Sequence, residues 1–480
     1  MQLEERRRWL ALIVLCLGVL MIVLDTTIVN VALPSIKTDL HFTDASLVWV
    51  VNAYMLTFGG FLLLGGRLGD LYGHRRLFLA GIVVFTGASL ACGLAHSQAM
   101  LVAARAVQGV GGAVVTSVAL SLIMMLFQTP ADRAKAMGIY GFVCAGGGSV
   151  GVLLGGLLTS TLDWHWIFLV NIPLGAIVFA WCLRLLPGGS GHAAGGKLDV
   201  GGAITVTLSL MLAVYAIVNG NENGWTSART LGMLAAAVVL LVVFLVVESR
   251  VREPLMPLGM FRLRNVAAAN VVGVLWAAAM FAWFFLSALY MQLVLGYGPM
   301  QVGLAFLPAN LIMAAFSLGL SAKIVMRFGI RGPIAVGLLL AAAGLALFAF
   351  APEDGEFATH VLPGMVLLGI GAGMALNPVL LAAMSDVSPA DSGLASGLVN
   401  TAFMMGGALG LAVLASTAAA KTAALQTLGV DARAAINGGY HVAFLLGALC
   451  AAAAAAYGYL VIRARMPAAA QQAGDPLPAE

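Results

Sequence analysis

Charge is scarce in this sequence. Only 9% of its 480 residues are Asp, Glu, Lys or Arg and 61% are hydrophobic, whereas a soluble domain carries about 25% charged residues. Mean hydropathy is +1.01. At this length no water-soluble core hides so much apolar surface. An ordinary cytosolic enzyme, a disordered chain and a secreted disulfide scaffold are therefore excluded, and a polytopic membrane protein remains. Cysteine is scarce too. Cys16, Cys92, Cys144, Cys182 and Cys450 stand alone in apolar stretches without a Cys-x-x-Cys, and read as small packing residues. The seven histidines (His41, His74, His96, His165, His192, His360 and His441) fall in loops or at helix ends, so no histidine relay runs deep in the membrane. A Walker A sequence and an H-E-x-x-H are both absent. ATP hydrolysis by this chain is thus unsupported, no metal or cofactor is expected, and the chain does not read as an enzyme. Gly146–Gly151 fits G-x-G-x-x-G and contains a G-x-S-x-G, but it sits in an apolar run with no preceding strand and matches both by chance.

Apolar runs of about 20 residues are present, which fit spanning helices and not the ten-residue alternation of a strand barrel. Loop charges and Gly/Pro breaks predict an all-α chain with fourteen spans, near 9–33, 46–66, 77–95, 99–126, 136–160, 165–186, 200–219, 230–248, 266–295, 300–322, 332–350, 361–381, 390–419 and 440–463. The first run begins with Arg6, Arg7 and Arg8 like a signal peptide. It is too long, contains Asp25 and lacks a small-residue cleavage site, so it reads as an uncleaved span. Nineteen of the 24 Lys and Arg fall on one side of these spans, four (Lys37, Arg229, Lys421 and Arg433) on the other, and Arg105 lies within one. This bias places both termini in the cytosol, although the inner loop 382–390 carries no Lys or Arg.

An internal repeat is visible. Asp70-Leu71-Tyr72-Gly73-His74-Arg75 follows span 2, and Met326-Arg327-Phe328-Gly329-Ile330-Arg331 follows span 10; each keeps a Gly with an Arg two residues on. The expected organisation is an N-terminal six-helix bundle over 9–186, a Gly-rich cytosolic linker over 187–199, an inserted helix pair over 200–248, a cytosolic linker over 249–265, a C-terminal six-helix bundle over 266–463 and a disordered cytosolic tail over 464–480. Such a layout belongs to transporters, with the substrate path between the halves.

Asp25 and Arg105 are the two normally charged residues deep in the predicted membrane. Asp25 lies nine residues before Pro34, or about 14 Å deep at 1.5 Å per residue, and Arg105 about 10 Å deep. The similar depths allow a pair. One reading is a static bridge that pins helices; the other is a carboxyl that binds and releases a proton, tuned by Arg105. Arg105, Gln108, Gly109 and Gly112 share one helix face, and Asn30 and Asn52 add polar groups for a cavity. Gly147, Gly151 and Gly155 form a stripe for close helix approach. Spans of the second half contain no acid away from their ends. Their bulky side chains include candidates for an apolar pocket: Trp276, Phe281, Phe284, Tyr290, Gln292 and Phe403.

Gly66-Arg67-Leu68-Gly69-Asp70-Leu71-Tyr72-Gly73-His74-Arg75-Arg76 resembles the signature loop between helices 2 and 3 of the major facilitator superfamily. Leu24–Pro34 (LDTTIVNVALP) resembles the first-helix motif of its fourteen-helix drug:proton antiporter branch, and Arg105-Ala106-Val107-Gln108-Gly109 the fourth-helix motif. Trp164–Phe168 with Asn171, Pro173 and Gly175 is similar to the helix 5–6 region, with His165 where Arg is usual. The resemblance implies the major facilitator fold, two six-helix bundles plus two inserted helices. It further implies multidrug efflux: alternating-access export of hydrophobic or cationic small molecules across the bacterial inner membrane, driven by protons. Alternatives are export of one dedicated metabolite, proton-linked import, and a non-transporting membrane sensor. Asp25 and Arg105 would belong to proton coupling, and Asp70, Gly73, Arg75 and Arg76 to a cytosolic latch. The partners implied are the substrate, protons and lipid, with no nucleic acid, for a monomer with or without a periplasmic adaptor. One departure concerns the helix-5 motif. Gly151, Gly155 and Gly156 are kept, but Val152 stands where the branch has proline. A proline there would kink the helix.

Overall fold

Side-chain caps and glycine turns mark several of the helix ends. A computed structural model describes residues 2–127, 129–186, 199–251, 254–387 and 392–463. Its long helices are α1 (Gln2–Asp39), α2 (Trp49–Tyr72), α3 (His74–Gly93), α4 (Gln98–Leu126), α5 (Pro130–Thr161), α6 (Asn171–Leu185) and α7 (Val200–Val218). They continue with α8 (Ala228–Arg250), α9 (Arg264–Leu289), α10 (Pro299–Ala315), α11 (Arg331–Ala349), α12 (Leu362–Met384), α13 (Ser392–Thr427) and α14 (Ala432–Val461). No strand occurs among the described residues. The Ser97 hydroxyl accepts from Met100 N–H at the start of α4, and Thr129 from Asp132 N–H ahead of Pro130 in α5. Ser227 and Asp431 open α8 and α14 in the same way. Each cap satisfies a backbone donor left free at the helix start.

Thirteen helical stretches among the described residues are long and apolar enough to cross a membrane. α10, with 17 residues, is shorter. It continues through a π turn, Phe316–Leu320, into a short helix, Ser321–Phe328. Gly319 in that turn has φ 123°, a conformation open to glycine and costly for other residues. The unbroken span expected over 300–322 is therefore bent. The expected linker over 187–199 falls almost wholly on 187–198 which, like the tail 464–480, lies outside the described residues.

The two halves join through two helix pairs, α2 on α13 and α5 on α10. These are equivalent pairs if α9–α14 repeat α1–α6. The arginines carry the repeat further. Gly73 and Gly329 both turn the chain at positive φ, 94° and 73°. Two residues later Arg75 donates to Leu183 O at 2.6 Å, and Arg331 donates through Nε to Tyr459 O at 2.9 Å. Arg7 likewise reaches Arg184 O and Arg264 reaches Val461 O, at 2.9 and 2.8 Å. The last helix of each half thus has its terminal carbonyls capped by arginines from the first helix and from the helix after the glycine turn, an arrangement favoured by the helix dipole. This end of the molecule is the basic end below; the other is the far end. α7 packs in the seam between α2 and α13, and α8 packs outside α7, exposing apolar side chains such as Val238, Val239 and Val242.

Candidate functional site

Glycine brings α4 close enough to its neighbours to enclose a charge. A methyl group at Gly109 would lie 2.1 Å from Thr57 Oγ1 and 2.4 Å from the Tyr54 carbonyl, and one at Gly111 would lie 2.6 Å from Phe85 N. Only bare backbone fits there, so α4 packs tightly between α2 and α3. One turn away, Arg105 and Gln108 point to Asp25 of α1. Asp25 and Arg105 are 0% and 1% exposed.

Arg105 Nη1 donates to Asp25 Oδ2 at 2.5 Å and to Gln108 Oε1 at 2.7 Å. Its Nε donates to Val50 O at 2.9 Å, and its guanidinium carbon sits 4.4 Å from the centre of the Tyr54 ring. The other carboxylate oxygen, Oδ1, accepts from Gln108 Nε2 at 2.7 Å and from Asn171 Nδ2 at 3.3 Å. Ser89 Oγ accepts from Gln108 and Asn171 at 3.2 and 3.0 Å and donates to Phe168 O at 2.9 Å. The Cys92 thiol lies 3.7 Å from Gln108 Oε1. Five helices therefore meet at one carboxylate: α1 carries it, α2, α3, α4 and α6 surround it. An ion pair removed from water persists only when its remaining donors and acceptors are satisfied, and both oxygens of Asp25 are.

Gln108 belongs to this cluster rather than to an open polar wall. Asn30 turns back on its own helix, donating to Thr26 O at 3.3 Å. Asn52 crosses between the halves and donates to Ala408 O at 2.8 Å. Gln292 makes a second crossing, donating to Val31 O at 2.9 Å. On α5, methyl groups at Gly147, Gly151 and Gly155 would lie 2.9 Å from Val23 Cγ1, 2.0 Å from Thr27 Oγ1 and 2.7 Å from Ile28 O, all on α1. One at Gly156 would meet Pro299 O of α10 at 2.9 Å. The glycine stripe thus serves two seams at once, inside the first half and between halves. Val152 is buried, and its carbonyl faces Gly303 of α10.

In the signature loop, Gly73 makes the turn, Arg75 caps α6 and Arg76 is exposed; the Asp70 side chain lies outside what is described. The six pocket candidates are not brought together. Trp276 and Phe403 line a small crevice with Leu376, Val379, Val399 and Asn400. Phe281 packs on Phe403, with ring centres 5.7 Å apart. Phe284 stacks on Phe306 instead. The Tyr290 hydroxyl donates to Pro352 O at 2.8 Å in a far-end loop, and Gln292 holds α1. In this structure Tyr290 and Gln292 stand away from the Trp276 crevice and act as fastenings. Both lie in a π turn, Tyr290–Val294, that follows α9, and the directions they face are assigned by neighbours distant in the chain.

Sequence reasoning also passed over Ser89 and Tyr54, read Cys92 only as a packing residue, and noted Asn171 only within a motif. Serine, tyrosine and cysteine are common in apolar helices, and nothing in their local pattern marks them as neighbours of Asp25.

A family model described as Major Facilitator Superfamily matches residues 15–411. A puromycin resistance protein of Streptomyces alboniger is 40% identical over 461 residues, covering 94% of this chain and 91% of its own. A cephamycin export protein of Amycolatopsis lactamdurans is 40% identical over 407 residues, 84% of each chain. A multidrug resistance protein of Mycobacterium tuberculosis is 36% identical over 416 residues, 87% of this chain and 77% of its own. Among solved structures, a bacterial homologue of the human lysosomal transporter Spinster, inward-facing and unoccupied, superposes with a TM-score of 0.67 at 18% identity. It covers 95% of this chain and 97% of that one.

Proposed function

We propose, on the premise that the chain belongs to the Major Facilitator Superfamily, that it exports hydrophobic or cationic small molecules in exchange for protons. The observation that carries the coupling half of this reading is the sealed network around Asp25. The export half is supported by relatives named for drug resistance and export. In this reading the protein is a fourteen-span member of the drug:proton antiporter branch. Its basic end faces the cytosol of a bacterial cell, and it works in the inner membrane as a monomer, with or without an adaptor.

Protonating Asp25 removes the charge that compensates Arg105 in a low-dielectric site. The guanidinium keeps the Val50 carbonyl, Gln108 Oε1 and the Tyr54 face, which are neutral partners. A buried charge left without its counterion costs several kcal/mol, so the protonated state favours a rearrangement that admits water or parts α1 from α4. Both helices lead to the crossings between halves. Val31, which accepts from Gln292, is six residues or about 9 Å along α1 from Asp25. Val50, held by Arg105, is two residues from Asn52, which holds Ala408. Strain at the carboxyl therefore reaches both fastenings of the far end. Release of these bonds opens the far side, and reformation closes it; Gly73 and Arg75 belong to a latch at the basic end, and the crevice at Trp276 and Phe403 offers apolar contact to substrate.

A second reading, export of one dedicated metabolite, is favoured by relatives named for single antibiotics, puromycin and cephamycin. Dye and antibiotic uptake by everted vesicles tests the function. The wild type should accumulate substrate when a proton gradient is imposed, and Asp25→Asn, which keeps the shape but cannot cycle a proton, should not. Accumulation of a single compound out of a broad panel favours the second reading. Wild-type accumulation by Asp25→Asn contradicts the coupling role.

A further inference from the structure

Two carboxyls outside the Asp25 network are also buried. Asp199 stands at the N-cap of α7 and Glu248 in the last turn of α8, both at the basic end of the inserted pair. They are 6% and 3% exposed. One oxygen of each has a backbone donor: Asp199 Oδ1 accepts from Gly202 N at 2.7 Å, and Glu248 Oε2 from Met256 N at 3.1 Å. The other oxygens, Asp199 Oδ2 and Glu248 Oε1, are buried with no partner. They converge on one point, since a methyl group at Gly202 would lie 2.6 Å from the first and 2.8 Å from the second. Leu64 of α2, Ala203 next to Gly202 and Leu255 next to Met256 pack together as a small apolar cluster. The ionisable residues near this end of the surrounding elements are Arg67 and Asp70 on α2 and the exposed Arg250 on α8. The charge of Asp199 bears on Glu248.

Two ionised carboxylates that meet in an apolar pocket repel, and one proton between them removes a charge and supplies the missing donor. We propose that Asp199 and Glu248 form a proton-binding site that holds one shared proton between Oδ2 and Oε1 and exchanges it at the basic end, independently of Asp25. The proton ties the first turn of α7 to the last turn of α8 and, through Met256, to the segment that leads into the second half. Its loss leaves two like charges facing each other and pushes α7 and α8 apart at that end. The site goes beyond the export reading, because it would exist even if Asp25 carried no proton.

The test is infrared difference spectroscopy on the full-length Asp25→Asn protein in lipid at neutral pH, in water and heavy water. Exposed acids are ionised there, so the expected signal is the carbonyl stretch of one protonated carboxyl, shifted in heavy water and lost on alkalinisation in a one-proton transition. Adding Glu248→Gln or Asp199→Asn should abolish it. Glu248→Gln keeps the shape and gives Asp199 an amide donor, so the fold, checked by circular dichroism, should be retained. Absence of the band in the Asp25→Asn protein, or its survival in either double variant, overturns the proposal. If neither double variant folds, the titration decides: a band that persists unchanged at high pH overturns it as well.

Discussion

Arg105→Met isolates the energetic role of the buried ion pair. The substitution keeps most of the side-chain volume but removes the donors to Asp25, Gln108 and Val50 and the contact with Tyr54. Asp25 keeps Gln108 Nε2 and Asn171 Nδ2 as donors, yet its charge then sits at 0% exposure without a counterion. Breaking a buried pair from one side costs about 3–5 kcal/mol, a shift of roughly two to three decades or more in the folding equilibrium at 1.4 kcal/mol per decade. Asp25→Asn/Arg105→Met carries no unpaired charge and should recover about 2 kcal/mol or more of that loss, although neither variant should couple transport to protons. Unfolding of the purified variants by SDS in mixed micelles measures all four corners of the cycle. If Arg105→Met lies within about 1 kcal/mol of the wild type, or if the two substitutions simply add, the pair is not a desolvated ion pair, and the argument for its coupling role fails.

Gly109→Ala places a methyl group 2.1 Å from Thr57 Oγ1 and 2.4 Å from the Tyr54 carbonyl; backbone cannot yield, so thermal unfolding should show a loss of about 1–3 kcal/mol or more. Val152→Pro puts a proline into a continuous α5 whose Val152 carbonyl abuts Gly303 and should destabilise by about 3 kcal/mol, read as reduced folded yield; wild-type yield would mean α5 accommodates the kink. Asn52→Ala and Gln292→Ala each remove one bond between halves, worth about 1 kcal/mol net. Each should raise far-end accessibility, measured by the labelling rate of a cysteine placed near Val31, about fivefold; unchanged rates would mean the bonds do not hold that end shut.

Much of this protein was legible before any coordinates. Polar or charged side chains are costly in an apolar span, so Asp25 and Arg105 stand out wherever their helices pack. Glycines at four-residue spacing announce close approach, and α5 uses Gly147, Gly151 and Gly155 in that way against α1. The repeated Gly-x-Arg after α2 and before α11 marked two equivalent turns, because a positive φ is a local requirement; the helix ends their arginines cap lie 108 and 128 residues away and were not legible.

What depends on which helix faces which was out of reach of the sequence. Ser89, Asn171 and Tyr54 join Asp25 only because α2, α3 and α6 close around it, and nothing in their own segments says so. Asn52 and Gln292 looked like cavity groups, yet they fasten one half to the other across 356 and 261 residues of chain. Asp199 and Glu248 stand at helix ends, where water normally solvates carboxylates, and it is the packing that leaves them 6% and 3% exposed. Residue chemistry and helical periodicity are written along the chain, and they determined the class of protein and its deepest charges. Partners, burial and the separation of the aromatic side chains are properties of contacts between distant segments, and those were decided by the packing alone.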